Sequence, residues 1–172
     1  MGLDAERLEA TVPAPGTHLM FACTNSHLRC LELAKQREWP WVFVMEDDFT
    51  FLVDKPTLWA LLQPVLEGAI DFDVIMLSYG NHGPQGEAPP GARALGLGHV
   101  FNSQTSSGYI VHSGFYDTLM SNFRESLETR SPLDMFWKKL QPISRWYYTL
   151  QRMGKQRLSF SDIEKRTVDY GC

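Results

Sequence analysis

Glu46, Asp47 and Asp48 follow directly on the apolar run Trp41-Val-Phe-Val-Met45. Three adjacent carboxylates repel one another, and no core accepts them unpaired, so at the end of a buried strand they need either full solvation or a counter-charge. A divalent cation would supply the counter-charge. In extended backbone Glu46 and Asp48 point to one side and Asp47 to the other, so alternate carboxylates can face one ion. An all-oxygen set of this kind selects Mg²⁺ or Mn²⁺ over zinc. The plain alternative is a solvated acidic turn.

A second group lies upstream. Cys23, His27 and Cys30 stand at i, i+4 and i+7, which on a helix puts them on one face in the manner of three metal ligands. The competing reading is two thiols packed as small apolar groups beside a hydrogen-bonded histidine. Seven residues of helical rise hold Cys23 and Cys30 about 10.5 Å apart, too far for a disulfide. With Cys172 the chain has three cysteines, an odd and sparse set that suits free thiols in a reducing compartment.

The elements that position these groups follow from hydrophobic period and breakers. Arg7–Thr11 reads as a short strand, and the proline-rich Val12–Gly16 after it as a loop. A helix is predicted from Thr24, with Thr24 or Asn25 as N-cap, ending before Trp39-Pro40. Trp41–Met45 is a strand, covered on both faces because its apolar run is continuous. Pro56 opens a helix that Gly68 closes, and Asp73–Leu77 is a second buried strand. Strand, helix and strand at this spacing predict a βαβ unit in a parallel sheet. The turn-rich Gly80–Gly91 reads equally as a mobile active-site loop or as a surface connection. Short strands at Val100–Phe101 and Ser107–His112, helices over Gly114–Glu128 and Leu133–Leu140, and the aromatic Trp146-Tyr147-Tyr148 complete the pattern. That aromatic trio is core or a platform for an acceptor.

Composition sets the outer bounds. At 44% hydrophobic and 12% aromatic, residues 1–172 suit one globular domain rather than a disordered chain. A net charge of −4 gives no basic field to follow a phosphate backbone, which argues against nucleic acid as a partner. No apolar stretch approaches the roughly 20 residues of a bilayer span, and acids stand where a signal peptide has its basic region, so a cytoplasmic location is expected.

Four segments, taken in order, resemble glycosyltransferase family 25, which includes lipooligosaccharide and procollagen galactosyltransferases. They are Cys23-Thr-Asn-Ser26-His27-Leu28-Arg29, Val42-Phe-Val-Met-Glu46-Asp47-Asp48, Ser107-Gly108-Tyr109-Ile110-Val111 and Ser131-Pro-Leu-Asp134. Ser161-Asp162-Ile163 resembles the closing segment of the family. The resemblance implies a GT-A-like (Rossmann-like) α/β fold with a mostly parallel sheet flanked by helices. It also implies a metal-dependent inverting transfer of a hexose, with galactose from UDP-galactose foremost, to a glycan or a hydroxylated protein acceptor. By the same resemblance Glu46 and Asp48, with Asp162, would hold Mn²⁺ or Mg²⁺, with Asp47 behind them. Ser26, His27, Ser107 and Tyr109 would bind the nucleotide-sugar donor, and Asp134 would be the base. Ser26 and His27 are expected near a helix N-terminus, where free N–H groups favour a diphosphate; His27 reads equally as a core histidine bracing the acids, and Asp134 as a helix-capping acid. Set against the family, the chain starts about one βα unit late, which implies an uncovered sheet edge open to self-association. A non-catalytic relative that binds a sugar nucleotide or a partner protein, and a metal-dependent phosphohydrolase, are the other readings.

Overall fold

The computed structural model describes residues 5–13, 15, 18–80, 85–161 and 166–169. Helix α1 (Leu19–Gln36) begins at His18, whose side chain accepts from the Met20 N–H, and it stops where Glu38 takes a left-handed φ of 54° ahead of Pro40. Strand β1 (Trp41–Met45) follows, then a turn into β2 (Phe49–Phe51) and α2 (Lys55–Leu66), which is capped by Asp54 on the Thr57 N–H. After Gly68, at φ 93°, come β3 (Val74–Met76), β4 (Gln85–Gly86), α3 (Pro90–Ala94), β5 (Leu97–Val100) and β6 (Gly108–His112). Helix α4 (Tyr116–Thr129) ends on Arg130 in the left-handed region and is followed by the short α5 (Leu133–Phe136). The last strands are β7 (Trp146–Thr149), β8 (Gly154–Gln156), β9 (Ser159–Ser161) and β10 (Arg166–Val168).

The fold is α/β, as expected, but the sheet is not mostly parallel. Six strands lie in the order β1-β6-β3-β7-β5-β4, and of the ladders between them β3–β7 alone is parallel among the described residues. Strands β1 and β3 do run in the same direction, since both are antiparallel to β6. The βαβ unit is split because β6 returns between its two strands. Hydrophobic period identifies strands and says nothing of which strand inserts between which. At the start of the parallel pair Asp73, buried at 8% exposure, accepts from the Arg145 backbone N–H (2.8 Å) and guanidinium (2.6 Å), which pins β3 to β7.

Helices cover both faces. Leu28, Leu31 and Ala34 of α1 and Leu119, Met120 and Phe123 of α4 pack with Val42, Val44, Tyr109 and Trp146 on one side. On the other, Leu58, Leu62 and Val65 of α2 pack with Ile75, Ile110 and Tyr147, with Trp41 and Phe43 at the margin. Strand β1 is an edge strand. Val42 and Val44 are buried, whereas Trp41, Phe43 and Met45 are half-exposed, so the expected cover on both faces is incomplete. Trp146, Tyr147 and Tyr148 are buried in β7, which makes them core and not an acceptor platform. Arg7–Thr11 is not a strand. Residues 5–13 run without regular structure along α1, held by the Thr11 N–H on Ser26 Oγ (2.9 Å), Arg29 on the Glu9 carbonyl (3.0 Å) and the Arg37–Glu6 ion pair.

No helix among the described residues is long and apolar enough to cross a membrane.

Candidate functional site

The open side of β1 forms the floor of a cavity of about 1640 Å³, walled by α1, α2 and residues 5–11. Glu46, Asp47 and Asp48 lie at the end where β1 stops, beside Thr105, Ser106 and Asp134. The register with β6 pairs Val42 with Val111 and Val44 with Tyr109, and the Glu46 N–H donates to the Ser107 carbonyl at 2.9 Å. In an antiparallel ladder the hydrogen-bonded pairs alternate. The N–H and C=O groups of Trp41, Phe43 and Met45 therefore point away from β6, toward the cavity.

The acids do not alternate as an extended strand would place them. Strand β1 ends at Met45, and the chain turns at once, the Phe49 N–H donating to the Glu46 carbonyl at 3.1 Å. Glu46 points inward, where its Oε1 accepts from Ser106 Oγ (2.6 Å) and lies 3.2 Å from His27 Nε2. Asp48 turns toward β8, its Oδ2 accepting from Gln156 Nε2 at 2.8 Å, and Asp47 is exposed. Glu46 and Asp48, expected to face one ion, thus bond to different partners on either side of a tight turn, and the Phe49 ring that follows it lies against Gly108 and Gly154, where a Cβ would stand 2.2 and 2.1 Å from it.

His27 is buried at 4% exposure, and it links three segments far apart in sequence. Its Nδ1 lies 2.8 Å from the Tyr109 hydroxyl, and its ring stacks on that of Tyr109. Burial works against a charged imidazole, yet Tyr109, Cys23 and Glu46 outweigh it and hold the His27 pKa well above the ordinary value. Burial would raise the Glu46 pKa in turn, but the bonds from His27 and Ser106 prevail and lower it. An imidazolium facing a carboxylate is the protonation state that both shifts describe.

Ser26 and His27 are not at a helix N-terminus. Helix α1 starts at Leu19, five residues earlier than expected, and Thr24 and Asn25, read as caps, instead bond back within the helix, as does Ser26: Thr24 Oγ1 to the Met20 carbonyl, Asn25 Nδ2 to that of Phe21 and Ser26 Oγ to that of Ala22. Such i−4 bonding by short polar side chains is the usual way they are tolerated mid-helix. The diphosphate site expected from free N–H groups there is absent. Ser26 lines the cavity; Ser107 and Tyr109 do not, Ser107 being buried with its hydroxyl 2.6 Å from that of Ser78 and Tyr109 fully buried against His27 and Trp137. Burial pushes the Tyr109 hydroxyl up to about 12, so it acts as a fixed hydrogen-bond partner.

Asp134 sits at the first turn of α5 and faces the same end of the cavity as Glu46. Its Oδ2 accepts from the Thr105 N–H at 3.2 Å, and burial, with the Glu46 charge adding to it, raises its pKa above the ordinary value. Thr105, a β-branched residue at φ 88°, is strained in that loop. Thr105 and Ser106 were not singled out from sequence; the small polar run Gln104–Ser107 ahead of β6 is the signal that could have found them. Asp162 lies outside the described residues, as does the 81–84 part of the glycine- and proline-rich loop, of which Gln85–Gly86 pairs with β5.

Among the described residues one group of three potential metal ligands has its atoms within 4.8 Å of one another: Cys23, His27 and Glu46. Cys30, expected on that face, is replaced in the group by Glu46; Cys23 and Cys30 are both free thiols.

No protein-family model matches the chain. No curated protein matches it either.

Proposed function

We propose that this domain is a GT-A-like glycosyltransferase that moves a hexose from a nucleotide-sugar donor, UDP-galactose foremost, to a hydroxyl of a glycan or protein acceptor. The observation that carries the reading is the convergence of segments remote in sequence on one end of one cavity. His27 of α1, Glu46 at the end of β1 and Ser106 ahead of β6 form a continuous hydrogen-bonded set, and Asp134 faces it. These belong to the segments on which the family resemblance rests, save Ser106.

The roles follow from the environments. Two carboxyls in one cavity whose surroundings push their pKa values apart divide into an anion and a proton acceptor of raised basicity. Glu46, held as the anion by His27 and Ser106, fixes the strand end. Asp134, with its raised pKa, would take the proton of the acceptor hydroxyl. Asp47 and Asp48 are the oxygens that fit a hard cation such as Mn²⁺ or Mg²⁺, because Glu46 is committed inward; a cation there would neutralise charge developing on a diphosphate leaving group. The cavity volume is ample for a nucleotide sugar and an acceptor together.

The test is turnover. With Mn²⁺ and UDP-galactose the chain should transfer galactose to a hydroxyl acceptor, and Asp134→Asn should lower turnover by about 10²–10⁴-fold with donor affinity little changed. Donor binding without turnover in wild type would favour the non-catalytic relative. Phosphate release with no acceptor would favour a phosphohydrolase.

A further inference from the structure

The Cys23, His27 and Glu46 trio differs in kind from the acidic turn. Two of its members stand one helical turn apart on α1, the i, i+4 spacing that puts paired ligands on one face. The third comes from the end of β1, so the group joins two elements rather than decorating one. Sulfur, imidazole and carboxylate together are the donors of a transition metal and not of Mg²⁺ or Ca²⁺. In a tetrahedral zinc site such atoms sit about 3.3–3.6 Å apart; the three atoms here all lie within 4.8 Å of one another, and His27 Nε2 and Glu46 Oε1 are already at 3.2 Å.

A second, independent feature is the support behind the histidine. Ligating imidazoles nearly always bind a partner through the nitrogen that does not face the metal, which fixes ring and tautomer. His27 Nδ1 is held by the Tyr109 hydroxyl at 2.8 Å while Nε2 faces Glu46, and Tyr109 is itself fully buried and immobilised by Trp137. All three ligands line the cavity, so an ion has a path in and an oxygen ligand can reach its remaining position.

We propose that Cys23 Sγ, His27 Nε2 and Glu46 bind one zinc ion, with the fourth position open to the cavity for water or another oxygen ligand. Binding replaces the His27–Glu46 hydrogen bond with coordination: the Nε2 proton and the Cys23 thiol proton leave to solvent, and the Nδ1–H stays on the Tyr109 oxygen. The proposal does not depend on glycosyl transfer, because its readout is a metal–thiolate bond.

The test uses the full chain, reduced and metal-free, titrated with Co²⁺ as a spectroscopic stand-in. One equivalent should produce a thiolate-to-cobalt charge-transfer band that Zn²⁺ displaces and that Mn²⁺ does not compete away. Cys23→Ser should abolish the band, Cys30→Ser and Cys172→Ser should keep it, and Tyr109→Phe should weaken binding by about 10–100-fold. In the unaltered chain Zn²⁺ should protect Cys23, and not Cys30, from alkylation, a measurement that needs no variant to fold. Absence of the band, its survival in Cys23→Ser, its loss in Cys30→Ser, or alkylation of Cys23 at the same rate with and without zinc would overturn the proposal. Loss of transfer activity with these results intact would instead count against the glycosyltransferase reading alone.

Discussion

At the residue scale, the carboxyl of Asp134 makes the sharpest demand. Its pKa is raised by burial and by the Glu46 charge, so the folded state binds its proton more tightly than the unfolded chain does. The stability it contributes is complete below the ordinary carboxylate range, near pH 4, and is lost as pH rises through the folded value. Asparagine keeps an oxygen for the Thr105 N–H and never ionises. We therefore expect Asp134→Asn to melt higher than wild type at neutral pH, with the gap closing as the pH is lowered below about 4; a thermal melt at several pH values checks it. A residue that stabilises when neutralised and slows turnover when neutralised is one kept for function. The chemistry of Glu46 was legible in sequence only in part: an acid at a strand end is visible, but its inward turn toward His27 is not, because it depends on where β1 stops and on a ring that three-dimensional packing, not period, places.

At the element scale, the turn from β1 into β2 orients the acids, and Phe49 sets that turn. Its ring lies against Gly108 of β6 and Gly154 of β8, with a Cβ at Gly108 falling 2.2 Å away. A Cβ at Gly154 would fall 2.1 Å from the same ring, so the ring must shift to make room for a methyl at either glycine. Gly108→Ala should cost about 1–3 kcal/mol by overpacking, read from denaturant unfolding, and should weaken cation binding at Asp48. A neutral effect would mean that the turn is looser than the packing indicates. Strand β1 and helix α2 were legible because a continuous β-branched run and a Pro-opened, Gly-closed apolar period are local signals. The start of α1 was not: Thr24, Asn25 and Ser26 have the side chains of caps, and only their bonds to Met20, Phe21 and Ala22 show them to be mid-helix. Strand order was not legible for the same reason that the sheet is not parallel, namely that β6, which follows both β1 and β3 in the chain, enters between them.

At the scale of the whole molecule, the cavity is bounded by an edge strand that carries none of the usual protection, neither charge nor proline within Trp41–Met45. Its odd-numbered residues direct their backbone groups into the cavity, while the even-numbered ones bond to β6. Amide exchange should therefore be faster at Phe43 and Met45 than at Val42 and Val44 in dilute solution. Raising the protein concentration should then protect the odd positions only where a second copy pairs through this edge. Equal protection of both sets at every concentration would show the edge to be covered already. The same cavity is the proposed donor site, so the decisive measurement is calorimetric titration of UDP with Mn²⁺ present, with a chelator instead, and with Asp48→Ala. The account predicts that UDP and Mn²⁺ each tighten the binding of the other and that Asp48→Ala abolishes this coupling. UDP affinity that is the same with Mn²⁺ and with chelator, or that is unchanged in Asp48→Ala, would contradict it.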